Sequence, residues 1–122
     1  MPRPTAPLAL SAAVALLLAA CASPPPRVVA PAHPAFVDRL IAGFAADPVA
    51  NPPASVWEYA YGGRVVYFVP ARCCDIPSQV YAADGAPVCQ PDGGLTGRGD
   101  GRCPDFAAAR SQERLVWRDP RG

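Results

Sequence analysis

The stretch Val56-Trp57-Glu58-Tyr59-Ala60-Tyr61-Gly62-Gly63-Arg64-Val65-Val66-Tyr67-Phe68-Val69 decides the fold. Aromatic and β-branched residues flank Gly62-Gly63 on both sides, and a glycine pair between two such runs signals a β-hairpin with a two-residue loop. That loop sets Trp57 across from Phe68 and Tyr59 across from Val66, which gathers the large apolar rings on one face. This face is expected to be core. The opposite face carries Val56, Ala60, Val65 and Val69 with Glu58 opposite Tyr67, and a helix is expected to cover part of it. A two-stranded hairpin alone is marginal in water, so the flanking segments must supply the cover.

Upstream, Phe36, Val37, Leu40, Ile41 and Phe44 recur at helical spacing. Pro34 suits the first turn and Asp47-Pro48 stops the run, which predicts an amphipathic helix of about three turns. Its polar face holds only Asp38 and Arg39, so it packs on a core. Downstream, Gln79 to Cys89 predicts a second hairpin that turns at Asp84-Gly85 and pairs Tyr81 with Val88. There Pro87 would point its missing donor outward and mark an edge strand. Glu113 to Arg118 predicts a short last strand bearing Leu115 and Trp117. The class is therefore α+β: a small disulfide-stabilised domain with one N-terminal helix packed on antiparallel β-hairpins.

The amino terminus carries an address. Arg3 and the free amine precede the apolar run Leu8 to Leu18, which is of signal-peptide length and too short for a permanent span. Leu18-Ala19-Ala20-Cys21 then has the form of a lipobox. Residues 1–20 are expected to be a lipoprotein signal peptide, and Cys21 to be lipidated with palmitate-type chains that hold the protein on a membrane. Residues 21–34 form a proline-rich tether, and residues 35–122 form one small domain. Ala22, in place of an aspartate after Cys21, points to the outer membrane, facing the periplasm, in a double-membraned cell.

The eleven cationic residues are all arginine and stand against ten carboxylates, giving a net charge of +1. No run of them forms the basic patch that nucleic acid requires. Beyond Cys21, the four cysteines Cys73, Cys74, Cys89 and Cys103 form an even set in a short exported chain, which reads as two disulfides. Adjacent cysteines rarely bond each other, so Cys73 and Cys74 are each expected to reach out, one to Cys89 and one to Cys103. The competing reading is a vicinal disulfide or dithiol at Cys73-Cys74 acting as a redox or metal site. The cysteine spacings do not resemble a zinc site, and His33, alone in the tether, adds no fourth ligand.

The segment Cys89-Gln90-Pro91-Asp92-Gly93-Gly94-Leu95-Thr96-Gly97-Arg98-Gly99-Asp100-Gly101-Arg102-Cys103 holds five glycines between two cysteines. With Tyr59, Tyr61, Tyr67, Cys73-Cys74-Asp75 and Tyr81 before it and Asp105-Phe106 after it, it resembles a family of short bacterial exported proteins and lipoproteins known only as a domain of unknown function. That family shares a Tyr-rich hairpin, Cys-Cys-Asp and Cys-x-Pro-Asp-Gly-Gly-x-Thr-Gly-x-Gly-Asp-Gly-x-Cys. The resemblance spans Trp57 to Phe106 and implies no activity.

The residues themselves suggest some chemistry. Asp92, Asp100 and Asp105, with Asp75 brought close by the expected disulfides, offer hard oxygens to calcium, although Gly94 stands where an EF-hand needs a second acidic or amide ligand. The other reading has these side chains capping turns. Leu95, Thr96 and Arg98, mid-loop and flanked by glycines, are the side chains most available to a partner. No enzyme is expected: no histidine outside the tether can act as base, and Ser55, Ser78, Thr96 and Ser111 lack a visible partner. Two functions remain: a binding or inhibitory module that presents the loop to another envelope protein, or a structural envelope lipoprotein without ligand. A calcium-dependent or redox accessory protein is a third.

Overall fold

The computed structural model describes residues 1–5, 32–73 and 75–122. Most of the expected signal peptide (from residue 6 on), Cys21, the expected tether up to residue 31 and Cys74 lie outside the described residues. Among the described residues, seven elements follow in order: helix α1 (Ala35–Ala46), strands β1 (Ser55–Tyr61), β2 (Arg64–Val69), β3 (Gln79–Ala82) and β4 (Pro87–Cys89), the single-turn helix α2 (Phe106–Ala109), and strand β5 (Ser111–Arg118). The strands form one antiparallel sheet in the order β4-β3-β2-β1-β5. The architecture is α+β, with a disulfide joining Cys89 to Cys103.

The central hairpin has the register expected from its sequence, Trp57 against Phe68 and Tyr59 against Val66. Gly62 and Gly63 both take positive φ, 59° and 77°, the left-handed pair that a tight hairpin turn demands. Its ring-bearing face forms one core cluster, in which Tyr59, Val66 and Phe68 pack with Val80, Cys89, Cys103 and Phe106. Phe106 is 1 % exposed and meets Tyr59, Tyr61 and Phe68 with ring centroids 5.2–5.9 Å apart. The guanidinium of Arg110 lies over three of these rings, 4.5 Å from that of Tyr59.

Helix α1 covers the other face. Phe36 and Val37 are buried against Val56, Tyr67 and Val69, with Leu40, Ile41 and Phe44 continuing the stripe. Each such buried side chain contributes roughly 1.5–3 kcal/mol. Val65, beside the turn, lies outside this cluster and stays 46 % exposed. Asp47 ends the helix in an extended conformation, as a residue before proline prefers. Arg121 then closes the open carbonyls, donating to Phe44 O at 2.9 Å and Asp47 O at 3.1 Å while paired with Asp119 at 2.7 Å. The pairing holds the Asp119 carboxyl below its ordinary range through the Arg121 hydrogen bonds.

Three features depart from the sequence expectations. In the second hairpin Tyr81 faces Pro87, not Val88, because Val80 pairs with Cys89 and a bulge leaves Val88 as the extra residue. Strand β4 is nonetheless an edge, where a proline is tolerated. The last strand starts earlier, at Ser111, and crosses the sheet to pair with β1. There Arg114 grips Glu58 through two bonds of 2.6 and 3.1 Å and donates to Ala32 O at 2.9 Å, which ties residue 32 to the sheet. The Arg114 hydrogen bonds hold the Glu58 carboxyl below its usual range.

The third is the cysteine pairing. Cys89 bonds Cys103, so neither can be the partner of Cys73 or Cys74. Cys73 is itself disulfide-bonded. The physical reason is that the glycine-rich loop folds back on itself, which brings its two ends, both 3 % exposed, to a Cα separation of 6.1 Å beside Phe106.

Candidate binding loop

Residues 90–102 leave the buried end of β4 and return to it at Cys103. Between these points the backbone satisfies itself. Asp100 N donates to Gln90 O at 2.9 Å, Gly99 N to Gly93 O at 3.1 Å, Gly93 N to Gly97 O at 3.3 Å and Gly97 N to Gly94 O at 3.1 Å. Such folding needs close backbone approach at Gly99, whose φ is 64° and where a Cβ would overlap the Gln90 carbonyl.

The base of the loop is braced from outside. Ser78, fully buried, gives its amide to Asp92 O at 3.0 Å, and its hydroxyl bonds both Asp92 O and Asp92 N. Just past the disulfide, Tyr61 donates its hydroxyl to Asp105 at 2.8 Å, and this bond raises the tyrosine's pKa. The loop is thus held by a covalent closure, an internal ladder and two side-chain braces.

What this frame presents is the tip. Leu95 is 90 % exposed, while other exposed aliphatic residues such as Ile76, Val65 and Leu115 lie between 44 % and 49 %. Thr96 and Arg98 are exposed beside it, and Thr96 Oγ1 accepts from Arg98 N at 3.2 Å. An apolar side chain so placed gains nothing from folding, and burying it against a partner would contribute roughly 1.5–3 kcal/mol.

The acidic residues take separate places. Asp100 Oδ1 accepts from Arg102 N at 2.9 Å, the turn cap of an aspartate two residues ahead of the donor. Asp105 serves Tyr61, whereas the exposed Asp92 uses only its backbone. Among the described residues no three or more histidine, cysteine or acidic side chains converge on a point where a metal could sit. Asp75 is exposed, and the bridges expected to draw it toward the loop are replaced by the Cys89–Cys103 bond.

Sequence reasoning reached the tip but missed its supports, Ser78 and Tyr61. A signal was available for Ser78. It shares the phase of buried Val80, and a polar residue on an inward phase must find hydrogen-bond partners.

These features define a small α+β domain that carries a disulfide-closed glycine-rich loop at one edge strand. The chain belongs to the family described as Domain of unknown function (DUF6970), which matches residues 42–119, nearly two thirds of the sequence. No curated protein and no solved structure matches it significantly.

Proposed function

We propose that this protein is a lipid-anchored protein of the cell envelope, and that its folded domain is a binding or inhibitory module presenting the tip Leu95-Thr96-Arg98 to another envelope protein. In this reading residues 1–20 are removed as a signal peptide, Cys21 bears the lipid, and residues 21–34 space the domain from an outer-membrane surface that faces the periplasm. The domain works by contact and not by catalysis.

The observation that carries the reading is the exposure of Leu95 at the end of a loop whose backbone is closed and braced. Binding residues concentrate on loops held by a rigid frame, and a preordered loop loses little entropy when it docks. The test compares wild type with a Leu95→Ala/Thr96→Ala/Arg98→Ala variant in cross-linked envelopes. The variant should melt within a few degrees of wild type, since surface changes cost about 0.5 kcal/mol or less each, yet lose the cross-linked species that wild type forms. Equal cross-linking by both proteins would leave the loop as scaffold and refute the binding reading. Cys21→Ser should release the protein from membranes and abolish fatty-acid labelling, and retained labelling would refute the anchor.

A further inference from the structure

A concavity lies away from the loop, at the end of the sheet where β1 begins and β2 and β5 finish. It is a cavity of about 380 Å³, at the lower end of the range for small-molecule sites. Pro52, Pro53 and Pro70 form rigid walls, with Asn51-Pro52 in the cis form. Proline walls bring no amide donors.

The indole of Trp57 forms part of the lining, and its Nε1 donates to Ser55 Oγ at 3.0 Å, which fixes the ring. The remaining polar lining side chains are Ser55, Arg72 and Arg118. The Ser55 oxygen accepts from Trp57 and its hydroxyl is still able to donate, while guanidinium groups only donate. No acidic side chain lines the cavity.

The two arginines are weakly engaged. Arg72 lies over the Phe44 ring at 4.7 Å and meets Asp47 only at 3.8 Å. Arg118 lies 5.9 Å from the Trp57 ring and has no carboxylate partner among the described residues. Gly122 also lines the cavity. Arg121, by contrast, is fully used at the end of α1. A cavity with apolar walls, a hydroxyl able to donate, two guanidinium groups and no acidic side chain is complementary to an acceptor-bearing anion attached to an apolar body.

We propose that this cavity binds a small carboxylate carried on a flat apolar group, with the acid taken by Arg118 and Arg72 and the body against Trp57 and the prolines. The site is independent of the loop and of any partner the loop engages.

Calorimetric titration of the whole mature protein with benzoate, 4-phenylbutyrate and indole-3-acetate tests it. At least one acid should bind saturably. Its uncharged amide should bind about tenfold more weakly or worse, and Arg118→Ala should weaken the acid by a similar factor. Arg118→Lys, which keeps the charge but loses the planar fork, should fall between them. Thermal melts of both variants would establish that they are folded. Absence of saturable binding by all three acids would overturn the proposal. So would equal binding of acid and amide, or an unchanged affinity in folded Arg118→Ala. Acetate binding as tightly as the aromatic acids would overturn the role given to Trp57.

Discussion

Replacing Gly99 with alanine probes the folding-back of the loop at its tightest point. The backbone there has φ 64°, and a left-handed conformation costs an alanine about 1–2 kcal/mol. The new methyl would also overlap the Gln90 carbonyl oxygen and stand 2.8 Å from Asp92 N, so the two arms of the loop would have to separate. That separation puts at risk the bonds Asp100 N to Gln90 O and Gly99 N to Gly93 O, each worth about 0.5–1.5 kcal/mol net. The expected loss is about 2–5 kcal/mol, a large share of the stability of a domain this small. Gly97→Ala is the control: its φ is 71°, but a Cβ there meets nothing within 4 Å, so only the conformational cost of about 1–2 kcal/mol remains. Urea unfolding and thermal melts of the two variants measure the difference, with about 4–8 °C in Tm per kcal/mol for a domain of this length. If the two substitutions cost the same within about 0.5 kcal/mol, the close approach at Gly99 is not what closes the loop.

Peptide mapping under non-reducing conditions should recover Cys89 linked to Cys103, and Cys103→Ser should destabilise the domain by about 3 kcal/mol for a closed loop of 14 residues; a Cys89 peptide linked to Cys73 or Cys74 instead would refute the pairing. At alkaline pH the hydroxyls of Tyr59 and Tyr67 matter. Burial, assisted by hydrogen bonds to Glu113 and Glu58, pushes both pKa values from 10 up to about 12. Between those values the unfolded chain loses these protons while the folded one keeps them, so stability is fully present below pH 10 and falls as pH rises toward 12, by up to about 1.4 kcal/mol per pH unit for each tyrosine. Tyr67→Phe should flatten that decline in urea unfolding curves taken from pH 8 to 12, and an unaltered slope would show that Tyr67 is not its source.

The sequence by itself determined the features whose information is local. The register of the β1–β2 hairpin follows from a two-period pattern phased by Gly62-Gly63, since a slip of one residue would move Tyr59 and Phe68 off the core face. Helix α1 and its end at Asp47-Pro48 follow from apolar spacing and the steric rule before proline. Leu95, Thr96 and Arg98 are exposed because glycines flank them and nothing in the sequence offers them a neighbour.

Tertiary structure decided what depends on segments far apart in the chain. Strand β5 pairs with β1 across more than 50 residues because Glu58, Tyr59, Arg114 and Glu113 lock there, and no periodicity encodes that partnership. The bulge that sets Tyr81 against Pro87, and the place of Arg121 at the end of α1, likewise depend on packing. The cysteine pairing is the clearest case. Counting cysteines yields an even set, but which sulfurs meet is fixed by where the backbone folds back, and here a glycine-rich segment folds tightly enough for Cys103 to reach Cys89. The cavity beside Trp57 was illegible for the same reason: Pro52, Pro70 and Arg118 are turn and strand residues in sequence, and they become the walls of one site only when three strand ends converge.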